Sequence, residues 1–166
     1  MALWSLWACK ETAYKVLNKS LRITSFLPQY WSVQLRRAGE MIREGKVVIP
    51  GGDKVFVQLY SSEEYVHCIG AAEPASLHKI IWGIDPVTVN GRGESINPSP
   101  FVRQCLCRKL ADIYKLDLGK MEIRRSKKGS ELQPPLLYYE DKLAPFDVSL
   151  SHDGRFAAYA FIKQYD

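Results

Sequence analysis

The sequence predicts an α+β fold in which long helices pack on a mainly antiparallel sheet. Two segments with helical periodicity are each followed by a series of short strands, which is typical of α+β domains. The chain has 166 residues, so we expect a single domain over residues 1–166. Apolar residues make up 46% of the chain and charged residues 25%, which suits a soluble protein with a buried core.

The first helix is predicted from about Leu3 to Asn18, where apolar side chains recur three or four residues apart with polar side chains between them. Pro28 interrupts the mixed segment that follows. We expect a second, short helix over residues Val33–Arg43 that ends at Gly45.

From Lys46 onward the apolar residues alternate with polar ones, as in strands. A Gly-rich turn at Pro50–Asp53 separates the first two strands, and a meander or a pair of hairpins is expected. The predicted strands are Val47–Ile49, Val55–Leu59, Tyr65–Ile69 and Lys79–Trp82. The region of about residues 46–90 is therefore rich in β-structure, and its sequence indicates no function.

Residues Asn90–Pro100 are rich in proline and glycine and predict a hinge or mobile loop. Ser99 fits a helix N-cap with Pro100 in the first turn, and helical spacing continues over Phe101–Leu116 until Gly119 ends it. The rest of the chain predicts strands at Met121–Arg125, Leu136–Tyr139, Asp147–Leu150 and Arg155–Ile162. The last of these is apolar nearly throughout, so we expect it to be covered on both faces.

The net charge of +5 indicates an anionic partner without identifying it. Nucleic acid, a membrane surface, a phosphorylated cofactor and an acidic protein all qualify, and a solvated basic face is the simplest explanation. The basic clusters lack the interleaved aromatic residues of single-strand binders, so a nucleic-acid-binding module rests on charge alone. We expect neither nucleic acid nor a membrane as the partner. No apolar run could span a bilayer and no leader pattern is present, so a cytoplasmic location is expected.

The four cysteines are Cys9, Cys68, Cys105 and Cys107, too few for a secreted disulfide scaffold. On a helix Cys105 and Cys107 would point about 200° apart, so they could not bind one metal ion together. We expect all four to be buried thiols with a structural role.

One polar constellation lies on the first helix, where Trp7, Glu11 and Lys15 follow one another at intervals of four residues and share a face. Glu11 and Lys15 can be an ordinary helical ion pair, which stabilises a helix by a few tenths of a kcal/mol. Alternatively, Glu11 binds a divalent cation or acts as a base while Lys10 and Lys15 neutralise a phosphate. Phosphoryl transfer relies on such positioning and charge neutralisation.

A second constellation follows the strand Asp147–Leu150, which leads into Ser151-His152-Asp153-Gly154. Adjacent residues of a strand face opposite sides, so this is no Ser-His-Asp hydrolase triad. The pair Asp153-Gly154 can simply form a hairpin turn, which leaves His152 unexplained.

Together the two constellations resemble a known family. The pattern Trp7-x-x-Lys10-Glu11-x-x-x-Lys15 resembles the W-x-x-K-E-x-x-x-K signature of 4′-phosphopantetheinyl transferases, and Val148–Asp153 is similar to that family's S-L-S-H-D element. Their order is that of the small holo-acyl-carrier-protein synthase type. The resemblance covers about a third of the chain and implies a 4′-phosphopantetheinyl transferase-like fold.

The resemblance also implies magnesium-dependent transfer of 4′-phosphopantetheine from coenzyme A to a serine of an acyl or peptidyl carrier protein. Glu11 would be a metal ligand and the base, Lys10 and Lys15 would face the coenzyme A phosphates, and Ser151 with His152 would hold the nucleotide end. The helix and the hairpin would then face one cleft. A basic protein suits an acidic carrier protein. A homo-oligomer is left open, because sites of the small-synthase type lie between subunits.

The sequence departs from the family at one place. Family members of this order carry an acidic G-x-D-x-E strand upstream of the K-E helix, and only a few residues precede Trp7 here. The segment Gly83–Val87 resembles the first half of that strand, which makes Asp85 a candidate metal ligand, but Val87 stands where the second acid belongs. The alternative function is therefore a catalytically inactive relative that binds coenzyme A or a carrier protein.

Overall fold

The computed structural model describes residues 2–21, 25–87, 97–128 and 131–164. The chain forms two compact units, Met1–Ile80 and Ile81–Asp166. Each unit packs one long helix on an antiparallel sheet, which confirms the α+β class. The expectation of a single domain stays a prediction. None of the described helices is long and apolar enough to cross a membrane.

The first unit is a helix followed by a four-stranded meander. Its elements are α1 (Ala2–Leu21), a 3₁₀ turn (Pro28–Tyr30), β1 (Ser32–Arg37), β2 (Ile42–Val48), β3 (Lys54–Ser61), β4 (Val66–Ala71) and the short α2 (Pro74–Leu77). The strands lie in the order β1-β2-β3-β4, and each neighbouring pair is antiparallel. The predicted first helix and the strands predicted between residues 47 and 69 are confirmed.

The helix predicted over Val33–Arg43 is wrong, because β1 and the start of β2 occupy this segment. Val33 pairs with Val47 of β2, and Val33 and Leu35 pack on the core while the residues between them are exposed. This two-residue period, fixed by pairing with the next strand, overrides the helical spacing of the local sequence. Gly45 ends no helix and lies inside β2, where a Cβ atom would overlap the Gln34 carbonyl oxygen.

The core of the first unit lies between α1 and the sheet. The helix buries Cys9, Ala13 and Leu17, which lie four residues apart on one face. The sheet contributes Val47, Val55, Val57 and Leu59. Phe26 closes one side, because its ring lies 5.6 Å from Trp7 and 5.4 Å from Trp31, measured between ring centroids.

The second unit packs one helix on a five-stranded sheet. Its elements are β5 (Ile81–Pro86), α3 (Pro98–Tyr114), a 3₁₀ turn (Leu118–Lys120), β6 (Met121–Arg124), β7 (Lys127–Lys128), β8 (Glu131–Leu132), β9 (Leu136–Tyr139), β10 (Lys142–Asp153) and β11 (Phe156–Lys163). The sheet order is β5-β11-β10-β9-β6, with β7 and β8 forming a separate ribbon. Apolar residues of α3 pack on β10 and β11, including Val102, Leu106, Leu110, Val148 and Phe161.

Both ends of α3 differ from the prediction. The N-cap is Asn97, whose side-chain oxygen accepts a hydrogen bond from the Ser99 amide at 3.0 Å, so the cap lies two residues before the predicted one. The helix ends at Tyr114, and Lys115 adopts the left-handed conformation with φ 55°. Gly119 lies in the following 3₁₀ turn and does not end α3. Most of the loop predicted at 90–100 lies outside the described residues.

The C-terminal hairpin is confirmed. The pairing of β10 with β11 ends at Asp153 and Phe156, which leaves Gly154 and Arg155 as a two-residue turn. Gly154 has φ 52°, a conformation that glycine adopts without steric cost. In β11 the consecutive residues Ala157 and Ala158 are both buried, which confirms that this strand is covered on both faces.

A close contact between α1 and β4 generates a test of this packing. A Cβ atom at Gly70 would lie 2.7 Å from Cγ2 of Thr12 and 3.3 Å from the Phe56 carbonyl oxygen. We expect Gly70→Ala to lower the free energy of unfolding by about 1–3 kcal/mol, because the helix must move outward to relieve the overlap. Urea unfolding measures the change.

Gly39→Ala is the matched control for Gly70→Ala, because its Cβ atom would meet only the Ile42 side chain at 3.6 Å. Thr12→Ser removes the clashing methyl group and keeps the hydroxyl that bonds the Cys68 carbonyl. It should recover much of the loss in the Gly70→Ala background. Equal destabilisation by the Gly39 and Gly70 substitutions would contradict the close approach of α1 to β4.

Candidate functional site

The predicted ion pair on α1 is present. Nζ of Lys15 lies 3.0 Å from Oε1 of Glu11. Both side chains remain accessible, with 32% of Lys15 and 42% of Glu11 exposed. An exposed pair of this kind stabilises a helix by about 0.3–0.5 kcal/mol, so a ligand can share or replace it at small cost.

Lys10 and Trp7 make contacts with the segment after α1. Nζ of Lys10 donates a hydrogen bond to the Pro28 carbonyl oxygen at 2.7 Å. The Trp7 ring packs edge-on against Phe26, while about half of the side chain stays exposed. Lys10 therefore ties the helix to the 3₁₀ turn, and its ammonium group keeps further N–H donors for a second partner.

The hairpin motif places Ser151 and His152 on opposite faces of β10, because consecutive strand residues alternate. His152 shares the face of Val148, which packs in the core against α3. His152 itself is exposed at the end of the strand, and Ser151 is half-buried. The structure thus does not bring these two predicted nucleotide-binding side chains together on one face.

Asp85 and His152 do share a face. Asp85 of β5 pairs with Ala157 of β11, and Ala157 pairs with His152 of β10. Residues directly opposite one another across strands project to the same side, so the carboxylate and the imidazole flank the small Ala157 side chain. Two strand spacings put their Cα atoms about 10 Å apart, and Ala157 between them is fully buried in the core.

Asp85 also contacts α3. The Asp85 carboxylate lies near the Cys105 thiol, and burial together with this carboxylate raises the pKa of Cys105 to about 11. Burial, and next the Asp85 charge, raise the pKa of Tyr159. Gly83 makes room for this tyrosine, because a Cβ atom there would lie 2.5 Å from the Tyr159 hydroxyl oxygen. Asp85, Cys105 and Tyr159 therefore form a polar cluster on the helix side of the sheet.

The fit to magnesium depends on these carboxylates. Within residues 2–21, 25–87, 97–128 and 131–164, no three His, Cys, Asp or Glu side chains converge as a metal site. Glu11 is paired with Lys15, and Asp85 lies near the Cys105 thiol. Magnesium usually takes one or two protein carboxylates, with water and substrate phosphates as its other ligands. Glu11 or Asp85 can each serve as one such ligand.

His67 of β4 is a residue that the sequence did not single out. Burial, and next the positive charge of Lys15, lower the pKa of His67 to about 4, so the imidazole is neutral at pH 7. In the sequence, His67 simply continues the alternation of polar and apolar residues along β4, so nothing distinguishes it. Its proximity to the charge of Lys15 arises only from the packing of α1 on the sheet.

The family models, curated proteins and solved structures compared with this chain include none that matches it. The similarity to phosphopantetheinyl transferases therefore rests on the two motifs. The K-E helix belongs to the first unit, and Asp85 and His152 belong to the second. One cleft that contains both groups stays a prediction.

The buried imidazole predicts a pH dependence of stability. Unfolded His67 binds a proton below its ordinary pKa of 6.5, whereas the folded protein binds one only near 4. The unfolded state holds more protons in this window, so stability is complete above pH 6.5 and falls as the pH drops toward 4. The full shift corresponds to about 3 kcal/mol.

Urea unfolding at about pH 7.5 and about pH 5 measures this effect of His67. His67→Asn should flatten the dependence, whereas His78→Asn, which alters an exposed imidazole, should leave it unchanged. Equal pH slopes for wild type and His67→Asn would contradict the lowered pKa.

Proposed function

We propose that this protein transfers the 4′-phosphopantetheine group of coenzyme A to a serine of an acyl or peptidyl carrier protein, with magnesium. The observation that carries the proposal is the pairing of Glu11 and Lys15 on an accessible face of α1. These residues belong to the W-x-x-K-E-x-x-x-K pattern, and the S-L-S-H-D hairpin follows downstream. A carboxylate beside ammonium groups is what phosphoryl transfer requires of a protein.

In the proposed reaction the carrier serine hydroxyl attacks the β-phosphorus of coenzyme A, and the bond to the adenosine bisphosphate leaving group breaks. Glu11 accepts the hydroxyl proton. Lys10 and Lys15 donate hydrogen bonds to the phosphate oxygens and offset their negative charge. Magnesium would neutralise further charge on the pyrophosphate, with Glu11 as one ligand and Asp85 as a second candidate.

The contacts of the two lysines are compatible with these roles. An ammonium group carries three N–H donors, so Lys15 can keep its contact with Glu11 while it binds a phosphate oxygen. Lys10 can likewise keep its hydrogen bond to the Pro28 carbonyl. This bond holds the Lys10 stem in place, which lowers the entropy lost on binding a phosphate.

In the second unit, His152 is the residue that would hold the nucleotide end of coenzyme A. Its imidazole is exposed at the strand end and shares a face with Asp85. Ser151 points to the other face of β10, so its hydroxyl would have to reach the nucleotide from that side. We therefore assign the stronger contribution to nucleotide binding to His152.

A second candidate function is binding of coenzyme A or of a carrier protein without transfer. It is favoured by Val87, which stands where the second acid of the family's G-x-D-x-E strand belongs. Calorimetry that shows coenzyme A binding without a magnesium requirement, combined with no modification of any carrier, would support this candidate over the transferase.

The transferase makes a direct prediction. Incubation with coenzyme A, magnesium and a panel of apo carrier proteins should add one phosphopantetheine group to a carrier, detected by intact mass. Glu11→Gln should lower the rate by about 10²-fold or more, because the proton acceptor is lost. Stability should change by only about 0.3–0.5 kcal/mol, the worth of the exposed pair with Lys15.

Glu140→Gln is the matched control for Glu11→Gln, because Glu140 forms an exposed ion pair with Lys120. It should leave the transfer rate unchanged. Absence of transfer to every carrier, or equal rates for Glu11→Gln and wild type, would overturn the proposed transferase role of Glu11.

Substitution of His152 should separate binding from chemistry. His152→Ala should raise the KM for coenzyme A more than it lowers kcat, because the imidazole contacts the nucleotide and not the reacting phosphorus. His78→Ala is the control, since His78 is an exposed histidine of the first unit. An unchanged KM in His152→Ala would remove this histidine from the site.

A further inference from the structure

Two cysteine sulfurs that are distant in sequence meet inside the first unit. Sγ of Cys68 on β4 lies 3.8 Å from Sγ of Cys9 on α1, and the Cys68 thiol donates a hydrogen bond to the Cys9 sulfur. Both residues are reduced, as are Cys105 and Cys107. Cys105 lies instead near the Asp85 carboxylate, so its environment differs from that of the Cys9–Cys68 pair.

The surrounding contacts hold the two sulfurs together. One turn after Cys9, the Thr12 hydroxyl donates to the Cys68 carbonyl oxygen at 3.1 Å. Gly70 lets the helix approach β4 closely, because a side chain there would overlap Thr12. The sulfurs are thus positioned by a helix and a strand and not by a mobile loop, which favours reaction between them over reaction with other thiols.

The two thiols differ in accessibility. Cys9 is fully buried, whereas Cys68 is half-buried. A small oxidant that reaches the pair therefore meets the Cys68 sulfur first. Cys9, whose sulfur lies 3.8 Å away, is then placed to react with the product formed on Cys68.

A route for a small oxidant exists on the side of β4. Cys9 is fully buried, but Cys68 is only half-buried. Within the described residues β4 pairs with β3 and with no other strand, so its second edge is not held by a ladder of hydrogen bonds. Local opening at a sheet edge costs less than unfolding the core, and hydrogen peroxide is small enough to enter by such an opening.

We propose that Cys9 and Cys68 form a dithiol oxidation site, which hydrogen peroxide converts into a disulfide between α1 and β4. The Cys68 sulfur attacks one peroxide oxygen, the O–O bond breaks, and the thiol proton joins the departing hydroxide, so that Cys68 sulfenic acid and one water form. The Cys9 sulfur then attacks the Cys68 sulfur, and its proton leaves with the displaced hydroxide as a second water. The two sulfurs together lose two electrons, which reduce one peroxide to two waters.

The disulfide has a defined structural consequence. The sulfurs must move from 3.8 Å apart to about 2.05 Å, so α1 shifts slightly toward β4. Cys9 directly precedes Lys10 and Glu11, and the bond would tie this part of the helix covalently to the sheet. The inference is independent of the proposed transferase function, because the bond can be measured without any enzymatic activity.

Peptide mapping of the full chain tests the site. The reduced protein is treated with graded hydrogen peroxide, unfolded in alkylating reagent and digested with trypsin. Three peptides separate the four cysteines: Met1–Lys10, residues 55–79 and residues 104–108. We expect the first two to be joined, with a mass about 2 Da below their sum, and to separate on treatment with dithiothreitol. The third peptide should remain alkylated.

Two variants test which cysteines form the disulfide. Replacement of Cys105 and Cys107 by serine leaves only the proposed pair, so the disulfide should still form. Cys9→Ala should eliminate the bond and leave Cys68 to accumulate as sulfenic or sulfinic acid.

The wild-type map decides the question even if a variant fails to fold. The inference is overturned if Cys9 and Cys68 both remain alkylated at peroxide levels that oxidise Cys105 or Cys107. It is equally overturned if the joined peptides appear only when urea is present during oxidation.

Discussion

The close packing of α1 on the sheet of the first unit is the contact on which the remaining features of that unit depend. The helix buries Cys9, Ala13 and Leu17, and the glycine of β4 lets the backbones approach. Residues two positions away on a helix point about 200° apart, so burial of these three dictates that Glu11 and Lys15 face outward. The same packing brings Cys9 against Cys68 and the charge of Lys15 near His67.

The fold was predictable where short-range signals were strong. The periodicity of α1 and the alternation of β3 were sufficient, and Gly154 marked the turn of the last hairpin, whereas only the end of β2 was predicted. The segment 33–43 was not predictable, because a short run with mixed polarity satisfies both periods. Its strand conformation is set by pairing with β2. The start of α3 was misplaced because Asn97 and Ser99 are both good caps, and local sequence does not rank them.

The candidate site shows the same division between local and long-range information. The spacing of Glu11 and Lys15 predicted their ion pair, since four residues on a helix form one face. The sequence could not show that Asp85 and His152 flank Ala157. That arrangement requires β5 to pair with β11 across about 70 residues of chain, and its register decides which side chains meet. Gly83 in strand β5 leaves the space that the Tyr159 side chain occupies.

The free energies of these interactions distinguish the contacts that hold α1 in place from the groups that α1 can offer to a ligand. Burial of a leucine such as Leu17 stabilises a fold by about 1.5–3 kcal/mol, whereas an exposed pair such as Glu11–Lys15 contributes about 0.3–0.5 kcal/mol. The stability of the helix therefore resides on its buried face. The outward carboxylate and ammonium group can exchange partners with almost no loss of stability, so a structural ion pair and a phosphate-binding face are compatible in the same residues. Covalent closure at Cys9 would act on the opposite, buried face, where a small displacement moves the helix as a whole.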